Sequence, residues 1–125
     1  MEKEEYRIAI VEDDLLMAKM LKSRFSLVKI NASVFNSGRD FINSKFTAGI
    51  ILLDLSLTDI DCLEFILTIY KINAKYKLVL MSGSPLSKIE LVRAYAKSIG
   101  FEVGGILKKP FSKEEMFAAV GVKFE

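Results

Sequence analysis

Four short apolar runs in this chain each end in residues fit for phosphate or metal chemistry. Ile8-Ala9-Ile10-Val11 runs into Glu12 and Asp13, and Ile50-Ile51-Leu52-Leu53 runs into Asp54. Ser82 follows Leu78-Val79-Leu80-Met81, and Lys109 follows Gly105-Ile106-Leu107-Lys108. Three carboxylates brought together repel one another, so either one holds a proton or a cation neutralises them. Carboxylate oxygens without histidine or thiolate suit a hard ion, and Mg2+ commonly takes one or two carboxylates together with a phosphate. An ionised Asp54 can attack phosphorus and become an acyl phosphate. Phosphoryl transfer then depends on positioning and on neutralising the equatorial oxygens. Mg2+, the Lys109 ammonium and the Ser82 hydroxyl each match one of those oxygens. Gly83 leaves room for the group, and Pro110 restricts the backbone of Lys109 and admits a cis bond before it.

Each residue alone has a plainer reading. Asp13 or Asp14 can cap a following helix, and Asp54 can be a turn residue, as Asp59 and Asp61 read. Ser82 lies in the turn-rich Ser82-Gly83-Ser84-Pro85, and Lys109 can be surface charge. What argues for a site is that all four positions end an apolar run, so parallel strands would bring them to one edge of a sheet.

The elements that must do this are legible. Strands are expected at 6–11, 32–35, 49–53, 78–81 and 105–108, as unbroken apolar runs of the kind found in a parallel sheet covered on both faces. Helical stripes fall between them: Met17, Leu21, Phe25 and Val28; Leu63, Ile66, Leu67 and Tyr70; Ile89, Val92, Ala96 and Ile99. Phe65, Ile69 and Ile72 form a second apolar line on the helix after Asp54, with core packing the default for all of these and a partner surface the alternative for any exposed part. Ser37 opens a short helix around Phe41-Ile42, and Ser112 with Glu115 has the spacing of a capping box. Five such units predict an α/β fold, a doubly wound five-stranded parallel sheet in the order 2-1-3-4-5. Glu12, Asp13 and Asp54 would then lie at the switch point, where ligands bind beyond the carboxyl ends of the strands.

Composition bounds the function. The chain has 125 residues, 51% hydrophobic and 27% charged, enough for one globular domain over 1–125. A net charge of +2 argues for neither nucleic acid nor an anionic membrane. No signal peptide and no span of roughly 18 apolar residues is evident. One cysteine, Cys62, precludes an internal disulfide and suits a reducing compartment, so a cytoplasmic location is expected. With no histidine, any phosphohistidine must come from a partner.

These residues, in this order, resemble the response regulator receiver domain of two-component signalling, the CheY-like phosphoacceptor. The resemblance spans essentially the whole chain and rests on Ile10-Val11-Glu12-Asp13-Asp14, on Asp54 through Glu64, on Met81-Ser82-Gly83 and on Lys109-Pro110-Phe111. It implies that Asp54 is phosphorylated and that Glu12 and Asp13 are the acidic pair, with Asp13 a direct Mg2+ ligand and the main-chain carbonyl of Ser56 another. It implies that Ser82 moves toward the phosphoryl group and that Lys109 contacts it. The implied partners are a sensor histidine kinase or phosphotransfer protein and an output domain or downstream protein, and dimerisation on phosphorylation is one form of response. The implied role is regulatory rather than enzymatic. Residues 96–111 are similar to those of receivers that precede EAL-type cyclic-di-GMP phosphodiesterase domains, which implies an excised N-terminal domain.

Three positions depart from the family's pattern. Thr58 stands where proline is frequent and Cys62 where glycine is frequent, which puts the loop geometry in question. Ile106 stands where many receivers carry Tyr or Phe, so signalling by an aromatic rotamer cannot operate in its usual form, and the output is expected from Ser82 through the segment 87–111. Two other classes compete. One is a receiver-like binding module that works without phosphate. The other is a small aspartyl phosphatase, which usually needs a second acid two residues after the nucleophile, where this chain has Ser56.

Overall fold

The computed structural model describes residues 7–46 and 49–122. Strands and helices alternate: β1 (Ile8–Val11), α1 (Leu15–Ser26), β2 (Ser33–Phe35), α2 (Gly38–Ser44), β3 (Ile50–Asp54), α3 (Cys62–Ile72), β4 (Lys77–Ser82), α4 (Leu86–Ile99), β5 (Glu102–Lys108) and α5 (Lys113–Val120). The strands form one parallel sheet in the order β2-β1-β3-β4-β5. The expected fold class and order are therefore what the chain adopts.

Strand periodicity divides the core in two. Ala9, Val11, Ile51, Leu53, Leu78 and Leu80 face α2, α3 and α4, whose Phe41, Phe65, Ile66, Ile69, Ile89, Val92 and Ala96 cover them. Ile8, Ile10, Leu52, Val79 and Met81 face α1 and α5, and meet Leu21, Phe25, Met116, Phe117 and Val120. Burial on both faces is why β1, β3 and β4 read as continuous apolar runs rather than alternating ones.

Side-chain caps fix where the helices begin. Asp14 accepts the N–H groups of Leu16 and Met17 at the start of α1, and Asp61 does the same for Leu63 and Glu64 at α3. Ser37 caps α2, and Ser112 with Glu115 forms the expected capping box at α5. Each satisfies N–H groups that a helix leaves unpaired in its first turn. Asp14, not Asp13, is thus the cap, which leaves Asp13 to the site. Asp61 is a cap rather than a simple turn residue.

Several expectations are corrected. Of the strand expected at 6–11, position 6 lies outside the described residues and β1 starts at Ile8, after Arg7; β2 starts at Ser33 rather than 32, and β3 starts at Ile50 rather than 49. β5 begins three residues earlier than expected, at Glu102, and carries both Gly104 and Gly105 inside it. A Cβ at Gly104 would stand 2.7 Å from the Ala119 carbonyl oxygen, and one at Gly105 2.8 Å from the Ala119 Cβ. These glycines let α5 lie directly on the strand's backbone, so they belong to the strand instead of ending it. In α3 the buried line is Cys62, Phe65, Ile66 and Ile69, while Leu63, Leu67 and Ile72 are exposed. Two lines of apolar residues with similar spacing cannot be ranked from periodicity. The rotation of the helix is set by its Asp61 cap and by the contacts of Phe65 with Phe41. Val28 lies beyond the end of α1, in the turn that follows.

Candidate functional site

The site lies at the carboxyl ends of β1, β3, β4 and β5. Asp54 is the last residue of the central strand β3, buried on both sides by β1 and β4. Glu12 directly follows β1 and is 1% exposed. Lys109 follows β5, and its N–H donates to the Ser82 carbonyl at 2.8 Å, so that the ends of β4 and β5 are tied together. The Lys109-Pro110 peptide bond is cis.

Lys109 joins the two buried acids. Its Nζ is 2.8 Å from Glu12 Oε1 and 3.5 Å from Asp54 Oδ1. One oxygen from each of Glu12, Asp13 and Asp54 lies within 4.8 Å of the others. The structure thus gathers Glu12, Asp13, Asp54 and Lys109, which the chain separates by up to 97 positions.

The electrostatics follow from this crowding. Burial raises the Glu12 carboxyl, and its hydrogen bond with Asp54 and that residue's charge raise it further. Lys109 and the Asp14 N–H pull the other way, and the balance is a pKa pushed up to about 7. Burial pushes Asp54 up as well, but the hydrogen bond with Glu12, the Ser56 donors and the Lys109 charge outweigh it, so its carboxyl falls below the ordinary value. Burial disfavours the Lys109 ammonium, yet its two acidic neighbours hold its pKa above normal. One lysine therefore does not offset the negative charge of this crevice. A set of three convergent carboxylate oxygens, with charge to spare and no softer donor, fits a hard divalent ion.

The loop from Leu55 to Asp61 closes one side. Ser56 donates both its N–H and its hydroxyl to Asp54 Oδ1, at 3.0 and 2.9 Å. This is a side-chain role beyond the main-chain one that the resemblance implies. Thr58 donates its N–H and hydroxyl to Asp13 Oδ2, at 3.3 and 3.2 Å. Asp59, read from the sequence as a turn residue, accepts the N–H groups of Gly38 and Arg39 at 3.0 and 2.9 Å and so latches the loop to the start of α2. No local signal announces Asp59 as a cap, because its helix lies about twenty residues earlier. The frequent proline at position 58 marks Thr58 as unusual but does not reveal its partner.

On the other side, Ser82 is wholly buried. Its Oγ accepts the Ser84 N–H at 2.9 Å. Among the described residues its own proton has no acceptor, so the hydroxyl can still donate. A Cβ at Gly83 would meet nothing within 4 Å, which is the room expected there. Ile106 pairs with Leu80 and packs, half-buried, against the α3–α4 side of the core.

Comparison with known proteins agrees with this geometry. No curated protein sequence matches significantly. Among solved structures, a response regulator from Colwellia psychrerythraea is 28% identical, with a TM-score of 0.77 over 90% of each chain. Response regulator DrrB of Thermotoga maritima, an OmpR/PhoB homologue, is 23% identical over 90% of this chain, with a TM-score of 0.75; this chain spans only 49% of it. The BeF3-activated DrrB receiver domain matches with a TM-score of 0.76 at 22% identity, over 93% of this chain and 94% of that one. No helix among the described residues is long and apolar enough to cross a membrane. The family profile of the response regulator receiver domain matches residues 8–121, and with it the fold and the acidic crevice make this chain a member of that family.

Proposed function

We propose that this receiver domain takes a phosphoryl group on Asp54, from a sensor histidine kinase or phosphotransfer protein or from a small acyl phosphate, and passes the change to an output domain or partner. The observation that carries the reading is the placement of Asp54: a buried, ionised carboxylate beside Lys109 and grouped with Glu12 and Asp13.

In the proposed step an Asp54 oxygen attacks phosphorus. A P–O bond forms, the P–N bond to the partner's phosphohistidine breaks, and the imidazole leaves with the electron pair. Glu12, Asp13, Asp54 and the Ser56 carbonyl would hold Mg2+, with Asp13 and Asp54 supplying carboxylate oxygens directly. When bound, Mg2+ neutralises the acids and one phosphoryl oxygen. Lys109 exchanges its contact with Asp54 for a second phosphoryl oxygen. Ser82 turns its free proton toward a third. Because Ser82 accepts from Ser84, that turn pulls on the segment leading into α4, and the response spreads through α4 and β5. Ile106 takes the place of the aromatic rotamer with a branched apolar side chain already packed in the core. An output domain in a longer chain, EAL-type or other, is one recipient of this change, and the reading frame after residue 125 tests it.

The test is the intact mass of the protein after incubation with Mg2+ and acetyl phosphate. A single phosphoryl adduct is expected on the wild type and none on Asp54→Asn. An adduct retained by Asp54→Asn would move the acceptor elsewhere. Ile106 favours a second reading, a phosphate-independent interaction module. A folded wild type that takes no phosphoryl group from acetyl phosphate or from any cognate kinase would point to it.

A further inference from the structure

The loop after β3 does more than border the crevice. We propose that Thr58 is a positioning residue for the metal site: its two donors fix one oxygen of the Asp13 carboxylate and leave the other to a divalent cation. The inference rests on the reading of Asp13 as a Mg2+ ligand.

Three observations carry it. Thr58 reaches Asp13 Oδ2 with both its N–H and its Oγ1, across 45 residues of chain. No other hydrogen bond to Asp13 is present among the described residues, so its second oxygen is left for a ligand. The donor itself stands on a fixed segment. Leu57 and Ile60 on either side of it are buried, Ser56 is bonded to Asp54, and Asp59 is bonded to α2.

The physical reasoning is that of preorganisation. Asp13 is only half-buried and sits just beyond a strand, where a short side chain samples several rotamers. Two donors on one oxygen select a rotamer before the cation arrives. They also suit one-oxygen ligation, the mode Mg2+ prefers with carboxylates. Partners of ligating carboxylates of this kind commonly govern metal affinity by tenfold or more. A proline at position 58 has neither an N–H nor a hydroxyl, so this device belongs to the present loop. Thr58 touches neither the phosphorus nor the cation, and it acts through Asp13 alone.

Calorimetric titration with Mg2+ of the wild type, Thr58→Ser, Thr58→Val and Thr58→Pro tests it. Thermal unfolding without Mg2+ and phosphorylation by acetyl phosphate at saturating Mg2+ are measured alongside. Thr58→Ser keeps both donors and should bind within about twofold of the wild type. Thr58→Val loses one donor at nearly constant shape and should bind roughly threefold more weakly, and Thr58→Pro roughly tenfold. Phosphorylation at saturating Mg2+ should stay near that of the wild type in the Ser and Val variants. Equal affinity in all four proteins overturns this inference alone. Loss in Thr58→Ser as large as in Thr58→Val overturns it too, since the methyl group's packing, not the donors, would then matter. A wild type that binds no Mg2+ overturns the metal-site reading and this inference together.

Discussion

The loops after β3 and β4 flank the same carboxylate, yet they are built differently. The first, Leu55 to Asp61, is pinned at almost every residue. Ser56 bonds Asp54, Thr58 bonds Asp13, Asp59 bonds the start of α2, Asp61 caps α3, and Leu57 and Ile60 enter the core. The second, Gly83 to Pro85, is tied by the Ser82–Ser84 hydrogen bond and by Lys108 Nζ to the Gly83 carbonyl at 3.2 Å. Its helix, α4, begins at Leu86, and Pro85 before it provides no side-chain cap. Many local constraints make the first loop a fixed wall for the acids. Few make the second a segment whose arrangement one hydroxyl can bias. In the proposed function the first loop holds the ligands and the second carries the response, which is how a switch separates a rigid site from a low-stability element.

Several measurements sharpen or break this contrast. The largest effect concerns the charge beside the fixed wall. Glu12, with its pKa raised to about 7, keeps a proton below that pH, and a cation must displace it. Mg2+ affinity should therefore rise with pH, by about tenfold from pH 6 to a plateau above pH 7. Glu12→Gln should flatten the profile, and a wild-type profile already flat would contradict the crowding argument. Next is the latch. Asp59→Ala should cost about 1 kcal/mol in denaturant unfolding and speed hydrogen exchange at Gly38 and Arg39, as the loss of a cap does. Burial raises the Asp59 carboxyl, but the Arg39 and Gly38 amides together outweigh it and hold its pKa below the ordinary carboxylate value. The folded state thus favours the ionised form, and the latch's contribution is present above the unfolded value and lost as pH falls through the lower folded one. The difference between Asp59→Ala and the wild type should vanish in strong acid.

Ser82→Ala addresses the second loop. It should leave Mg2+ affinity within about twofold while abolishing the phosphorylation-dependent change in hydrogen exchange across Gly83 to Ile89. Equal loss of both would contradict the assigned role. The smallest expected effect is at Gly83→Ala. A Cβ there meets nothing within 4 Å, so stability should rise by about 0.4 to 1 kcal/mol through the unfolded chain. A marked destabilisation would show that the second loop is as tightly built as the first.

The same contrast marks what sequence reading reaches. Asp14, Ser37 and Ser112 act on helices that begin within a residue of them, and their type and spacing announce it; Asp61 does so too, although it reads equally well as a turn residue. Asp59 acts across 20 and 21 residues and Thr58 across 45, and nothing near them in the chain names their partners. The largest departure among the strands is in β5, where glycine stands for a close approach, because contact with Ala119 is a property of two elements at once. In α3, Leu63 and Phe65 are equally apolar, and only the docking of the helix against α2 and the sheet decides that Phe65 is inside.

The order of five βα units, the residue types at the strand ends and the alternation of two core faces were determined by the sequence itself. Hydrophobic periodicity and the handedness of crossovers act locally and leave few arrangements. Tertiary structure alone decided how much charge the crevice holds, which oxygen of Asp13 is taken and where the loop after β3 is anchored. Those depend on distances between groups far apart in the chain, and such distances exist only once the strands lie side by side.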